Sequence, residues 1–163
     1  MADGTLKVGT ITTSSGSGTI TLGQSGETVN IPTGATITGF GASNAFMTNG
    51  MSGNASGTLV FNNVILDDGG NYNTSNGRYT APSDGKYIFF FHALSAGSGS
   101  NIYFEVNGST LGGMGAQWGY THSGADPDTV TAILNLSQND YVTAVAQSSV
   151  LASYIFFGGA KLY

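Results

Sequence analysis

Charged side chains are scarce in this sequence. Only 8% of its 163 residues are Asp, Glu, Lys or Arg, whereas a typical soluble domain is about one quarter charged. The four basic residues are too few to form a patch that neutralises a phosphate backbone, and the net charge of −5 opposes such binding. Nucleic acid and anionic membrane surfaces are therefore poor partners, and no nucleic-acid binding is predicted.

Cysteine is absent, and long apolar runs are absent too. Without cysteine the chain has no disulfides, no thiolate nucleophile and no thiolate metal site. The longest apolar run, residues 87–91, is far too short to span a bilayer. The first residues, MADGTLKVGTIT, contain no apolar stretch of signal-peptide length. We therefore expect no membrane insertion and no export through a cleaved signal.

Glycine and small polar residues are abundant, together with aromatic residues. The 26 glycines, with many Thr, Ser and Asn residues, favour strands joined by tight turns over long surface helices. A hydrophobic content of 40%, including 9 Phe and 8 Tyr, is too high for a disordered chain. No segment has a helical period, so the sequence predicts an all-β protein.

The composition changes near residues 39–44 and divides the chain into two predicted regions. Residues 1–41 contain one aromatic side chain, Phe40, and two short alternating segments, TITL and TVNI, around a Gly-rich turn. This pattern predicts a small hairpin, which is marginal in isolation and must pack on sister chains or a larger assembly. The residues predicted to anchor this arm are Leu6, Val8, Ile20, Leu22, Val29 and Ile31.

Residues 45–163 are rich in aromatics, and strand-like segments recur at the spacing typical of a sandwich or barrel. We predict strands over 58–63 and 85–94, among others. In the second of these, Tyr87, Phe89 and Phe91 alternate with Ile88 and Phe90, so both faces of the strand are apolar. A sandwich strand is normally wet on its outer face. A homo-oligomer that covers the second face is therefore predicted, and the same holds for residues 155–157.

Several motifs of residues 45–163 stand in one order along the chain: Phe46, FNNV from residue 61, GRYTAPSDGKYIFF from residue 77, Asn107-Gly108, LNL from residue 134, NDYV from residue 139 and FFGGAKL from residue 156. This order resembles the globular head of complement component one, subunit q, within the tumour-necrosis-factor-like superfamily. The resemblance implies a jelly-roll sandwich of ten strands that forms a tight homotrimer. The residues assigned to its core or trimer interface are Phe61, Tyr79, Tyr87, Ile88, Phe89, Phe90, Phe91, Phe104, Phe156 and Phe157.

The sequence departs from the animal members of that family because it has no collagen-like Gly-X-Y stalk. Its Thr/Ser/Gly-rich arm resembles N-terminal segments of bacteriophage fibre proteins. These resemblances predict a non-enzymatic virion protein, either a capsid decoration or head fibre or a tail fibre. The protein would be assembled in the host cytoplasm, with the arm attached to capsid or tail proteins and the knob exposed on the virion surface. The alternative is a knob that binds a host receptor or glycan.

Ligand binding is predicted for the segment around the single tryptophan. Trp118 and Tyr120 are two residues apart and therefore lie on one strand face, and His122 opens a polar loop. Aromatic faces stack on sugars and are frequent binding hot spots. The alternative interpretation places Trp118 and Tyr120 in the sandwich core or the trimer interface.

Hydrolysis is not expected. His122 precedes Ser123 and lies near two acids, but closeness in sequence does not place a base, a nucleophile and an orienting acid together in space. The other histidine, His92, is expected to be a packed or interface residue. A polysaccharide depolymerase is also disfavoured, since no paired carboxylates occupy flanking strands. No cofactor is predicted. Asp126 and Asp128 are weak candidates for calcium ligands because some members of the family bind calcium through loop oxygens. Turn and cap roles are the alternative for these two acids.

Overall fold

The computed structural model describes residues 44–110, 119–121 and 126–162, and Thr28. The chain divides into two units, Met1–Thr38 and Gly39–Tyr163, and all described residues except Thr28 belong to the second. The six residues predicted to anchor the arm, from Leu6 to Ile31, lie outside the described residues.

Twelve strands form among the described residues, and they have the following bounds: β1 Phe46–Asn49, β2 Ala55–Thr58, β3 Asn63–Asp67, β4 Tyr72–Asn73, β5 Arg78–Thr80, β6 Gly85–Ala93, β7 Ser100–Val106, β8 Ser109–Thr110, β9 Gly119–Thr121, β10 Asp128–Leu136, β11 Tyr141–Val150 and β12 Phe156–Lys161. Within residues 44–110, 119–121 and 126–162 no helix is long and apolar enough to cross a membrane.

The strands pair antiparallel in two sheets. The five-stranded sheet has the order β10-β6-β12-β1-β3. The seven-stranded sheet has the order β4-β5-β11-β7-β8, with β2 also paired to β11 and β9 also paired to β7. One cluster of buried side chains from both sheets forms the core between them. This is the all-β jelly-roll sandwich predicted from the sequence.

Strand β6 shows how the alternating sequence positions two surfaces at once. Its odd-numbered residues Tyr87, Phe89 and Phe91 are completely buried in the core. The even-numbered residues Ile88, Phe90 and His92 are half-buried on the outer side of the five-stranded sheet. Two apolar faces on one strand are therefore present, as the sequence predicted.

Aromatic rings dominate the core. Phe46 on β1 stacks on Tyr79 of β5 with ring centroids 4.3 Å apart, and it meets the edge of Phe157 on β12 at 4.8 Å. Seven of the residues assigned to the core or trimer interface are completely buried here, namely Phe61, Tyr79, Tyr87, Phe89, Phe91, Phe104 and Phe157. Burial raises the pKa of the Tyr72 hydroxyl to about 12, so this side chain is neutral in the core. Its hydroxyl accepts a 3.0 Å hydrogen bond from the Phe61 backbone N–H.

The predicted strand over residues 58–63 is wrong. The chain forms β2 before it and β3 after it, and the residues between them cross from the seven-stranded to the five-stranded sheet. Leu59 and Phe61 alternate because both are buried in the core, with the Leu59 N–H bonded to the Ala144 carbonyl at 3.0 Å. The alternation of Leu59 and Phe61 therefore reflects the burial of a connecting segment. It does not indicate a regular paired strand.

Candidate functional site

The outer side of the five-stranded sheet carries a cluster of apolar side chains from three adjacent strands. We call it the aromatic face and define it as Ile88, Phe90 and His92 of β6, Ile133 of β10, and Phe156 and Ala160 of β12. The antiparallel register places Ile133 opposite Ile88, and Phe156 opposite His92. These side chains therefore form one continuous surface.

Ring contacts fix the centre of the aromatic face. Phe156 packs edge-on against Phe90 with centroids 5.9 Å apart, and it stacks nearly parallel on the His92 ring at 4.7 Å and 10°. Three rings that hold one another in this way keep a defined shape before any partner arrives, which lowers the entropic cost of association.

Glycine allows this packing on the sheet. A Cβ at Gly158 would lie 2.4 Å from the ring of Phe90 and 2.9 Å from the Phe46 carbonyl oxygen. Only a residue without a side chain lets Phe90 lie flat across the neighbouring strand. Gly159 is equally restricted on the core side, where a Cβ would come within 2.5 Å of the Ile88 carbonyl oxygen.

His92 is the titratable ring of the aromatic face. Its Nδ1 lies 2.9 Å from Thr129 Oγ1 on the adjacent strand β10. Burial lowers the His92 pKa below its usual 6.5, and the nearby Asp128 carboxylate opposes that shift. The neutral ring is thus favoured at neutral pH, which suits an apolar surface.

Ile133 is a member of this face that the sequence analysis did not single out. Its side chain is 63% exposed, the largest exposure among the large hydrophobic side chains of the described residues. The signal was available in the sequence, because the outward residues of β10 are otherwise polar: Thr129, Thr131 and Asn135. Because Ile133 lies opposite Ile88 of β6, it extends the contiguous apolar patch onto β10, and such a patch marks an interaction surface.

The predicted core-or-interface residues divide between these two locations. Seven of them are buried between the sheets: Phe61, Tyr79, Tyr87, Phe89, Phe91, Phe104 and Phe157. Ile88, Phe90 and Phe156 are half-buried on the aromatic face. Alternation along β6 could separate the two sets, but the sequence alone did not say which set faced the other sheet.

The predicted ligand site around the tryptophan falls largely outside the described residues. Trp118 and His122 are not among them, and Tyr120 is described only through its backbone, which pairs with Asn101 of β7. This site stays a prediction. It is not brought together with the aromatic face in the part of the chain that the structure describes.

The two acids suggested as calcium ligands are exposed or half-exposed at the start of β10. Asp128 Oδ1 accepts a 2.7 Å hydrogen bond from the Thr129 N–H, which is the cap role given as the alternative. Among the described residues, no group of three His, Asp or Glu side chains could hold a metal ion. The described residues therefore add no further ligand to the calcium site suggested at Asp126 and Asp128.

Comparison with known proteins identifies the family of this sandwich. A family model described as "C1q domain" matches residues 42–159, which is most of the chain. The chain belongs to the C1q domain family. No curated protein matches the sequence.

Solved structures agree with that fold. The globular domain of zebrafish complement 1qA protein is 20% identical and superposes with a TM-score of 0.58, covering 75% of this chain and 98% of that one. Rabbit GITRL is 12% identical with a TM-score of 0.42, covering 54% of this chain and 73% of that one. The family match and the superposition on the zebrafish domain confirm the jelly-roll class inferred from the sequence motifs. C1q-type domains are non-enzymatic modules that form trimeric heads and bind other molecules.

Proposed function

We propose that this C1q-domain chain forms a homotrimer through the aromatic face and serves as a structural protein of a bacteriophage virion. The observation that carries the trimer is the aromatic face itself. It presents half-buried rings and the exposed Ile133 on the outer side of a sheet whose inner side already fills the core. An apolar sheet face of this kind is stabilised when a partner removes it from water.

The charge distribution supports the same assembly. Side chains of the aromatic face are uncharged at neutral pH, including His92 with its lowered pKa. Burying an unpaired charge in an interface is costly, so an interface between identical copies favours neutral side chains. The sequence as a whole contains only 8% charged residues, so few charges have to be kept out of such an interface.

The virion role is supported by the N-terminal region of the sequence. Residues 1–41 resemble the arms of phage fibre proteins and carry the apolar residues predicted to attach to capsid or tail proteins. A cysteine-free chain is suited to assembly in a reducing host cytoplasm. In this proposal the C1q domain is exposed on the virion surface.

Light scattering coupled to gel filtration of the full chain tests the trimer. The decisive variant is Ile133→Lys, which places a charge on the aromatic face at a side chain that is 63% exposed. Its matched control is Thr110→Lys, because Thr110 is exposed on β8, the edge strand of the seven-stranded sheet. We expect a trimer for the unmodified chain and the control, and a monomer for Ile133→Lys.

Two results would overturn the trimer proposal. One is a monomer for the unmodified chain at every concentration tested. The other is a trimer that survives Ile133→Lys, which would place the interface elsewhere. The virion role has its own test, namely gold or antibody labelling of phage particles imaged by electron microscopy. Absence of the label from intact particles would refute it, whatever the oligomeric state.

A further inference from the structure

The outer side of the seven-stranded sheet holds a small polar pocket. Its volume is about 270 Å³. Four strands and two connections supply its lining, which includes Thr58, Asn76, Arg78, Glu105, Tyr141 and Thr143. These residues are far apart in the sequence and are brought together only by the pairing of β11 with β2, β5 and β7.

Arg78 and Tyr141 form a preorganised wall of this polar pocket. The Arg78 guanidinium carbon lies 3.9 Å from the centroid of the Tyr141 ring, a cation–π contact that restrains the long side chain. Asn107 fixes the adjacent β7–β8 turn, since its Oδ1 accepts from the Tyr141 N–H at 2.9 Å. Its Nδ2 donates to Asp140 Oδ1 at 2.8 Å. The pocket therefore needs little rearrangement to receive a ligand.

Thr143 supplies an unsatisfied group. It is only 3% exposed, and its Oγ1 has no hydrogen-bond partner among the described residues. A buried hydroxyl without a partner is costly, and native structures usually provide one. Thr143 pairs directly opposite Glu105 in the sheet, and both residues line the polar pocket. A ligand hydroxyl seated there would provide the missing hydrogen bond.

Charge narrows the class of ligand. Arg78 and Glu105 both line the polar pocket, and no ion pair joins them among the described residues. An anion would face the Glu105 carboxylate and a cation would face the Arg78 guanidinium, so neither is favoured. The remaining groups are hydroxyls and one amide, which pair with groups that both donate and accept hydrogen bonds.

We infer that the polar pocket binds a single neutral sugar ring. Adjacent hydroxyls of a pyranose both donate and accept, so they match the guanidinium, the carboxylate and the Thr143 hydroxyl together. The volume lies just below the roughly 300–1,000 Å³ of pockets for drug-sized ligands, which suits one ring and not a long oligosaccharide. The inference sharpens the glycan-binding alternative of the sequence analysis. It moves the site from Trp118, Tyr120 and His122 to the polar pocket lined by β2, β5, β7 and β11.

The inference is independent of the proposed trimer. The polar pocket and the aromatic face lie on opposite outer sides of one sandwich. A trimer joined through the aromatic face leaves the seven-stranded sheet open to solvent. Loss of trimers and loss of sugar binding are therefore separate measurements on the same sample.

NMR titration of the full chain with methyl glycosides tests the inference. The probes are the methyl pyranosides of glucose, galactose, mannose and N-acetylglucosamine, each taken to about 50 mM, well above the roughly millimolar Kd of a one-ring ligand. We expect at least one to give saturable shifts centred on the amides of Glu105, Gly108, Tyr141 and Thr143. The affinity obtained from these shifts should weaken about tenfold or more in Glu105→Gln, because this change keeps the side-chain shape and removes the charge.

Thr143→Val separates binding from structure. The change removes the unpaired hydroxyl at nearly constant volume, so thermal stability should be retained or increased while sugar binding weakens. Thr131→Val is the matched control, because Thr131 is exposed on the outer side of the other sheet and should leave binding unchanged.

Three results would overturn the inference. The first is no saturable shift with any of the four glycosides. The second is saturable binding whose shifts centre on Gly119–Thr121 and ignore Thr143→Val, which would return the site to the tryptophan region. The third is binding of a zwitterion such as alanine through the same residues in preference to every sugar, which would replace the ligand class.

Discussion

The two outer faces of this sandwich are built by the same alternation and have opposite chemistry. On the five-stranded sheet the outward residues of β6 and β12 include Ile88, Phe90 and Phe156. On the seven-stranded sheet the outward residues that line the polar pocket include Arg78, Glu105 and Thr143. The inward residues of both sheets are equally apolar and share one core.

This difference shows that the fold leaves the outer faces free to vary. A period-two strand commits every second residue to the core and places no requirement on the others. Membership of the C1q family therefore accounts for the core. The chemistry of the outer side of the seven-stranded sheet has to be read from this chain's own residues, and it indicates a small polar ligand.

The largest effect is expected where the aromatic face depends on a glycine. Gly158→Ala would place a Cβ 2.4 Å from the Phe90 ring and 2.9 Å from a backbone carbonyl. We expect Phe90 to be displaced from the sheet, with a loss of about 1–3 kcal/mol in the free energy of unfolding and weaker trimers. Urea unfolding and light scattering measure the two effects.

Gly53→Ala is the control for that change. A Cβ at Gly53 would meet nothing within 4 Å, so its free energy of unfolding should change by less than about 0.5 kcal/mol. Sugar binding at the polar pocket should be unaffected in both variants. If Gly158→Ala unfolds at the same urea concentration as the unmodified chain, the close packing of Phe90 over β12 is not important for stability.

The sequence predicted the five-stranded side better than the seven-stranded side, for a physical reason. Apolar residues at period two report burial directly, so β6 and its two faces could be predicted from one segment. The same signal misled at Leu59 and Phe61, because a connecting segment that crosses the core is also buried at alternate positions.

The polar pocket could not be predicted, because its residues come from strands that adjoin only after folding. Thr58, Arg78, Glu105 and Thr143 have no common spacing, and each has an ordinary polar surface role when taken alone. The sequence analysis instead chose Trp118 and Tyr120, which are close neighbours in the chain. Local proximity is visible in a sequence, whereas sheet register over long separations is not.

A smaller effect is expected from pH at the aromatic face. Because burial lowers the His92 pKa below 6.5, the unfolded chain takes up a proton more readily than the folded one. Stability should be complete above pH 6.5 and should decrease as the pH falls below it, by less than about 1 kcal/mol because the ring is partly solvated. Calorimetry at pH 7.5 and 5.5 measures the change in Tm.

His92→Gln identifies the source of that pH dependence. The variant should lose less stability than the unmodified chain between pH 7.5 and 5.5, since glutamine does not titrate. Equal losses in the two proteins would assign the dependence to other groups. Binding at the polar pocket should be the same in His92→Gln and the unmodified chain, because the pocket lies on the opposite outer side of the sandwich.

The smallest effect is expected beside the polar pocket and in a different pH range. Hydrogen bonds from the Asn107 amide and from the Ser137 N–H lower the pKa of Asp140 below its usual 3.8. The stability that these bonds provide is present above pH 3.8 and is lost as the pH falls below it. Asp140→Asn should therefore flatten the acid unfolding curve below pH 4 and leave the range from 7.5 to 5.5 unchanged. Circular dichroism along an acid titration of Asp140→Asn and the unmodified chain measures this. Identical curves would show that the β10–β11 turn does not depend on this carboxylate.

The His92 and Asp140 variants are expected to alter stability in different pH ranges. If each alters only its own range, the two outer faces respond to protons independently, as expected if the aromatic face serves assembly and the opposite face serves binding.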